Sequence, residues 1–209
     1  MILTPDAFDS LFLVTTATRR GTKEWDKAEA EAGNRSVVKV AEVEKATAMH
    51  ASVMSNRKAR QLIEAAADRQ LSVFWNDDEI DGLYCKGRID IPLWDIGCNF
   101  DLKTTRSASD EEFQRSIWTY GYYLQAAMYE DAASSQGRGV DRFGFILVEN
   151  EPPFASRVVE LDRSAITRGH EALKPLKEKY AECVRTGKWP GYSEEITVLS
   201  LPAWTKRRN

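Results

Sequence analysis

The chain has 209 residues, of which 43% are hydrophobic and 29% charged, with a formal net charge of −3 at pH 7. That length can bury a substantial core, and the balance of apolar to charged residues is that of an ordinary globular protein, not a disordered or fibrous one. The composition therefore excludes a membrane span, since no run of about eighteen apolar residues exists, and a wholly basic nucleic-acid coat, although a basic channel among solvated carboxylates stays open.

At the start, Met1-Ile2-Leu3-Thr4-Pro5-Asp6 has no basic stretch followed by an apolar one, so it does not read as a secretory signal. The first third reads as helical. Residues 24–32 are rich in Ala, Glu and Lys and stop at Gly33-Asn34. A second helix is expected over 40–55, with Val43, Ala46, Met49, Val53 and Met54 as its apolar stripe, and a third over 57–68, with Leu62, Ile63 and Ala66 facing inward. Strands follow at 71–75, 83–94 and 99–105. The polar turn 76–79 separates the first two, and the tight connection Asp95-Ile96-Gly97-Cys98 makes the last two an antiparallel hairpin. Then come a helix over 110–133, strands at 142–149 and 155–161 on either side of Pro152-Pro153, and a long helix over 164–186 with Asp162 as its cap. The stretch 187–209, with Trp189, Pro190, Tyr192, Pro202 and Trp204, reads as irregular.

This order predicts an α/β fold, a central mixed β-sheet flanked by helices on both faces. One domain is expected over 1–209: a helical N-terminal part to about 70, the sheet and its helix over 71–163, and a C-terminal helix and tail. Cys85, Cys98 and Cys183 are an odd count with no CxxC pair, against both a disulfide framework and a four-thiolate metal site, and they point to a reducing, intracellular setting. The basic clusters Arg19-Arg20, Arg57-Lys58-Ala59-Arg60 and Lys206-Arg207-Arg208 read as solvated faces.

Chemistry concentrates in Gly87-Arg88-Ile89-Asp90 and, ten residues later, Asp101-Leu102-Lys103-Thr104-Thr105. Asp101 and Lys103 stand two apart on a strand and so leave one face, while Phe100 and Leu102 leave the other. A hairpin of this length brings Asp90 beside Asp101. Two close carboxylates disfavour each other's ionisation. A hard divalent cation, Mg²⁺ or Mn²⁺, relieves that cost, with the Leu102 carbonyl as a further ligand. Lys103 can then orient a water or stabilise charge on phosphorus, a set suited to phosphodiester hydrolysis. On the helix, Gln125 and Tyr129 stand four apart, hence on one face, with Tyr122 nearly aligned. Gln125, polar among apolar neighbours, reads as a site residue; Trp118, Tyr122, Tyr123, Leu124 and Met128 read as core. His50 reads as a surface or core histidine, Glu79 as a solvated turn residue and Glu64 as a weak further ligand, while His170 and Cys183 have no partner in the sequence that would make them catalytic.

Taken together, Gly87-x-x-Asp90, Asp101-x-Lys103-Thr104-Thr105 and Tyr122-Tyr123-Leu124-Gln125-Ala126-Ala127-Met128-Tyr129 resemble the successive motifs of the PD-(D/E)xK nuclease superfamily. The closer resemblance is to the RecE-like phage and prophage exonucleases of the RecB-like group. Phe74-Trp75 and Gly187-x-Trp189-Pro190-Gly191-Tyr192 extend it over about residues 1–190. The resemblance implies a restriction-endonuclease-like core with Asp90 and Asp101 as metal ligands, Lys103 assisting the attacking water, and Gln125 and Tyr129 supporting the site and contacting DNA. It implies a 5′→3′ exonuclease acting on linear double-stranded DNA in phage-type recombination, working as a homo-oligomeric ring with a single-strand annealing recombinase as partner, in the cytoplasm of a bacterial host. The upstream histidine that such enzymes carry as a further ligand would fall before Met1, and the three cysteines do not fit the four-cysteine pattern of iron–sulfur relatives. Two other readings stay open: a nuclease-derived DNA-binding or interaction module that no longer cuts, and a repair or restriction endonuclease.

Overall fold

A computed structural model describes residues 7–201. The N-terminal six residues, Pro202, Trp204 and the basic tail Lys206-Arg207-Arg208 lie outside the described residues. In chain order the elements are α1 (Phe8–Leu11), β1 (Phe12–Thr15), α2 (Lys23–Ala32), β2 (Ser36–Lys39), α3 (Val40–Ser55), α4 (Arg57–Ala65), β3 (Leu71–Asn76), β4 (Tyr84–Ile89) and β5 (Ile91–Leu93). A 3₁₀ turn at Trp94–Ile96 leads to β6 (Cys98–Thr105), α5 (Asp110–Thr119), α6 (Tyr122–Ser135), β7 (Arg142–Glu149), β8 (Ser156–Glu160) and α7 (Arg163–Thr186).

Local chemistry sets several boundaries. Thr22 Oγ1 accepts from Trp25 N at 3.3 Å and starts α2, and Asn56 Oδ1 accepts from Lys58 N and Ala59 N, both at 3.1 Å, to start α4. Asp162 caps α7, accepting from Ala165 N at 2.8 Å. In each case a short polar side chain satisfies amides that the first helical turn leaves without a partner.

The central sheet has the order β5-β6-β7-β8. β6 and β7 run parallel, from Cys98↔Arg142 to Thr105↔Glu149, and the outer strands run antiparallel to them, so the sheet is mixed. Helices cover both faces, as the sequence predicts. On one face Val53, Ala59, Leu62 and Ile63 of α3 and α4 pack on Phe100, Ile146 and Val148. On the other, Phe113, Ala126 and Ile166 of α5, α6 and α7 pack on Phe143, Phe145 and Leu147. With both faces covered, β7 is buried continuously from Phe143 to Val148, the pattern of a strand interior to its sheet. No helix among the described residues is long and apolar enough to cross a membrane.

Three expectations are corrected. The first third is not all helix: β1 and β2 form a separate parallel pair. Each has four residues, too few for a period of two to stand out, and only the fold pairs them. The strand expected over 83–94 divides at Asp90: β4 pairs with β3, and only β5 forms the hairpin with β6. The helix expected over 110–133 breaks at Tyr120-Gly121, where Gly121 takes φ 66°, a left-handed conformation that glycine adopts without strain.

Gly144 shows how tightly the sheet is packed next to Asp101. A Cβ there would lie 2.3 Å from the Phe100 ring and 2.8 Å from the Val159 carbonyl oxygen. Phe100 is fully buried and cannot swing aside. Gly144→Ala is expected to lose roughly 1–3 kcal/mol of stability through overpacking, read as a lower denaturant midpoint in urea. An unchanged midpoint would show that the sheet can relax around the added methyl.

Candidate active site

Asp90 occupies the corner where the chain leaves the β3–β4 pair and enters the central sheet. Its carbonyl accepts from Gln70 N at 2.9 Å, continuing the β3–β4 ladder. Its side chain turns the other way, and Oδ2 accepts from Leu102 N at 3.0 Å. One residue thus joins two sheets and delivers its carboxylate to the middle of β6.

Asn99, Asp101 and Lys103 alternate along β6 and leave the same face, toward α6. Each meets one position of that helix. Asn99 Nδ2 donates to Tyr129 O at 3.2 Å, Gln125 Nε2 donates to Asp101 Oδ1 at 2.7 Å, and Lys103 Nζ lies 4.6 Å from the centre of the Tyr122 ring. The match is metric: two strand residues advance about 6.6 Å and three to four helical residues about 4.5–6 Å, so an antiparallel helix stays nearly in step with alternate strand positions. Gln125 Nε2 also reaches Tyr129 Oη at 3.1 Å, and that hydroxyl donates to Arg88 O on β4. Asp101, Gln125, Tyr129 and the β4 backbone therefore form one connected chain.

The structure brings Asp90, Asp101, Lys103, Gln125 and Tyr129 together, with Leu102 entering through its amide. Asp101 is buried, and its Oδ2 lies 2.7 Å from Lys103 Nζ, whose side chain is 20% exposed. That contact is a close ion pair but lacks hydrogen-bond geometry, which leaves Oδ2 a buried oxygen without a directed donor. Burial, and then the Asp101 charge, push the Asp90 carboxyl up to about 6. Burial also raises Asp101, against the lowering effect of Lys103 and Gln125. Burial pushes the Tyr129 phenol up to about 12, so it stays a neutral donor at physiological pH.

A buried oxygen without a directed donor, beside a second carboxylate that resists ionising, is a donor set that fits a hard divalent cation. Two carboxylates are what this chain offers: among the described residues no group of three or more His, Cys, Asp or Glu side chains is disposed to hold an ion. His50 is half-buried on α3 and Glu64 exposed on α4, and neither joins such a group.

Several expectations are revised. Trp118 is 68% exposed, with its ring stacked on Tyr123 at 5.5 Å, and Tyr122 is half-buried between Phe113, Phe145 and the Lys103 ammonium; the buried stripe of α6 is instead Ala126, Ala127, Ala132 and Ala133. Tyr122 packs against the core residues Phe113 and Phe145 and Met128 against the core beneath β3 and β4, so of the expected core residues Trp118 is the one that faces solvent. His170, without a partner in sequence terms, lies 2.6 Å from Glu130 and 3.5 Å from Asp131. Glu79 is exposed, as expected of a turn, and pairs with Lys174 at 2.9 Å. Asn99 was missed as part of the site: fully buried, it accepts from Trp94 Nε1 at 2.9 Å and holds α6 through Tyr129. The available signal was a polar residue two before Asp101, hence on the strand face that Asp101 and Lys103 share.

Comparison with known proteins adds four findings. A family model described as a PDDEXK-like domain of unknown function (DUF3799) matches residues 15–202. No curated protein matches the chain. Among solved structures, a "Putative exonuclease" from Eubacterium rectale aligns with a TM-score of 0.60 at 14% identity, over 86% of this chain and 71% of its own, which is a likeness of fold. The protein SSO0001 aligns at a TM-score of only 0.34, with 16% identity over 65% of this chain and 58% of its own, too slight to bear on the fold.

The Asp90 environment has a measurable consequence. A carboxylate whose folded-state pKa lies above its ordinary value of 3.8 favours folding while protonated, and that advantage is lost as pH rises from 3.8 through about 6. Asn keeps an oxygen for the Leu102 amide without the charge. In the presence of a chelator, Asp90→Asn is therefore expected to be more stable than wild type at pH 8, by on the order of 3 kcal/mol, and to lose that margin at pH 4. Denaturation at the two pH values checks this, and a margin independent of pH would contradict it.

Proposed function

Because the chain belongs to the PDDEXK-like domain family DUF3799, and so to the PD-(D/E)xK nuclease superfamily, we propose that it hydrolyses phosphodiester bonds of DNA at the cluster formed by Asp90, Asp101 and Lys103. The observation that carries this reading is the meeting of the buried Asp101 carboxylate, the half-buried Asp90 carboxylate and one ammonium, Lys103 Nζ being 2.7 Å from Asp101 Oδ2 and Asp90 Oδ2 3.0 Å from Leu102 N. Asp90, Asp101 and the Leu102 carbonyl would hold Mg²⁺ or Mn²⁺, whose charge, when bound, polarises phosphoryl oxygens and eases deprotonation of an attacking water.

The chain's own groups supply the rest. Lys103 is tethered at one end of its reach by Asp101 and supported from below by the Tyr122 ring. With a side chain that is still partly exposed, it can orient a water or stabilise charge building on a phosphate without itself moving. Gln125 holds Asp101 Oδ1, leaving Oδ2 to face Lys103 and substrate. Tyr129 keeps Gln125 in place by tying it to β4. Gln125 and Tyr129 act as positioning residues in this scheme.

The finer reading is an exonuclease that degrades linear double-stranded DNA in the 5′→3′ direction for phage-type recombination, as a homo-oligomeric ring delivering its product to a single-strand annealing recombinase. The motif resemblance supports it, and its exonuclease part agrees with the "Putative exonuclease" from Eubacterium rectale. One observation favours a second reading, a DNA-binding module that does not cut: the candidate centre has only two carboxylates, and no described group of three metal-capable side chains.

Digestion of end-labelled linear duplex and of closed circular duplex, with Mg²⁺ and with chelator, separates these. The proposal expects Mg²⁺-dependent loss of the linear substrate alone. Cutting of closed circles would point to an endonuclease, and no cutting at all to the second reading. Asp101→Ala is expected to reduce cleavage to background. Lys103→Ala is expected to slow hydrolysis by roughly 10²–10³-fold, with a much smaller change in DNA affinity, because one ammonium is a minor share of the phosphate contacts. Equal losses of rate and affinity would remove Lys103 from the chemistry.

A further inference from the structure

Beside the reacting cluster, on the far side of Tyr122, lies a cleft of about 410 Å³ that the proposed chemistry does not use. Its walls come from the end of β6 and the segment after it (Thr105, Arg106, Ser107), from the α5–α6 break (Tyr120, Tyr122) and from Asn150 just after β7. The cleft and the cluster share the Tyr122 ring, on which the Lys103 ammonium rests.

Four features of this cleft point to one kind of ligand. Tyr120 is 68% exposed, and its ring lies 5.7 Å from that of Tyr122 at an angle of 34°, so a flat aromatic surface faces solvent directly beside the site. Asn150 Oδ1 is buried and has no hydrogen-bond partner in the protein, although its backbone is fixed by donation from Asn150 N to Thr105 O at 2.8 Å. Arg106 is exposed and, among the described residues, makes no ion pair. Glu112, the carboxylate lining the cleft, is already paired with Arg115 at 2.8 Å. A ring to stack on, an amide to meet a polar edge and a guanidinium for phosphate are the elements by which proteins hold an unpaired nucleotide, and the volume is that of a small-ligand site.

We propose that this cleft receives an unpaired nucleotide of the substrate strand, its base stacked on Tyr120 and its polar edge met by Asn150, next to the phosphate presented to Lys103. The inference rests on the nuclease reading for what the strand is doing there, but it makes a separate claim: the substrate end is frayed, with one nucleotide held out of the duplex stack. A free mononucleotide offers the same chemistry, and affinity distinguishes the two, because a strand also engages the neighbouring cluster.

The test is a titration in chelator of a single-stranded oligonucleotide carrying terminal 2-aminopurine, whose fluorescence is quenched on stacking. Wild-type protein is expected to bind and quench. Tyr120→Ala is expected to weaken binding about tenfold, within the range for loss of one base stack, and Tyr120→Trp to restore it. Asn150→Leu separates a binding role from a structural one. Removing a buried oxygen without a partner should leave the melting temperature unchanged or higher, while oligonucleotide affinity falls. A lower melting temperature with unchanged affinity would assign Asn150 to the fold and overturn its part. Affinity and quenching unaffected by Tyr120→Ala would overturn the inference, as would deoxyadenosine monophosphate binding as tightly as the oligonucleotide. Cleavage of linear duplex by wild-type protein, measured separately, keeps the two readings apart. Cutting without dependence on Tyr120 removes this inference alone, whereas Tyr120-dependent binding by a protein that never cuts supports it and removes the nuclease reading.

Discussion

Asp90 accepts the Leu102 amide at 3.0 Å, and through that bond its carboxylate is held close enough to Asp101 for the two charges to interact. The arrangement is electrostatically costly: Asp101 is buried and Asp90 half-buried, and the charge on Asp101 raises the cost of ionising Asp90. Lys103 offsets only part of this, since one ammonium faces two acids and its contact with Asp101 lacks the direction of a hydrogen bond. The uncompensated negative potential is what would draw a cation to the proposed metal position. It persists because the surrounding sheet, buried on both faces, holds the acids where they are.

That hold has two arms. The first is the corner at Asp90, where the backbone belongs to one sheet and the side chain to another. The second is α6, which runs alongside β6 and contacts it at Asn99, Asp101 and Lys103 through Tyr129, Gln125 and Tyr122. The outer side of α6 is fastened in turn. Lys177 of α7 bridges Asp131 of α6 and Asp77 beyond β3, at 2.6 and 2.7 Å, and Glu130 takes Arg163 and His170. Asp77 and Lys177 are nearly buried, so their pairing is screened little and removing one partner would strand the other's charge. Gly169 lets α7 approach closely: a Cβ there would meet the Tyr123 carbonyl oxygen at 2.2 Å. Positioning of Gln125 and Tyr129 thus depends on groups that touch no substrate.

The interruption between α5 and α6 links the site to its surroundings. An unbroken helix over this stretch would carry its aromatic residues around the axis at 100° intervals. The left-handed turn at Gly121 instead sets Tyr122 under Lys103 and leaves Tyr120 facing solvent at the cleft. A local breach of helical regularity therefore yields both the support for the ammonium and the exposed ring beside it.

The sequence by itself determined the local features: the cap at Asp162, the strand character of 99–105 and 142–149, the shared face of Asp101 and Lys103, and the alignment of Gln125 with Tyr129. These depend on periodicity and near-neighbour hydrogen bonding, which operate within a few residues and so can be read from spacing. Only the tertiary structure decided that β1 would pair with β2, that the strand would turn at Asp90 and change sheets, that Asn99 would anchor α6, and that Tyr120 and Asn150 would flank one cleft. Each of these joins residues far apart in the chain or chooses between partners of equal local merit. The choice is made by which arrangement buries the apolar faces of β6 and β7 together, and that sum is taken over the whole core and is not written in any single segment.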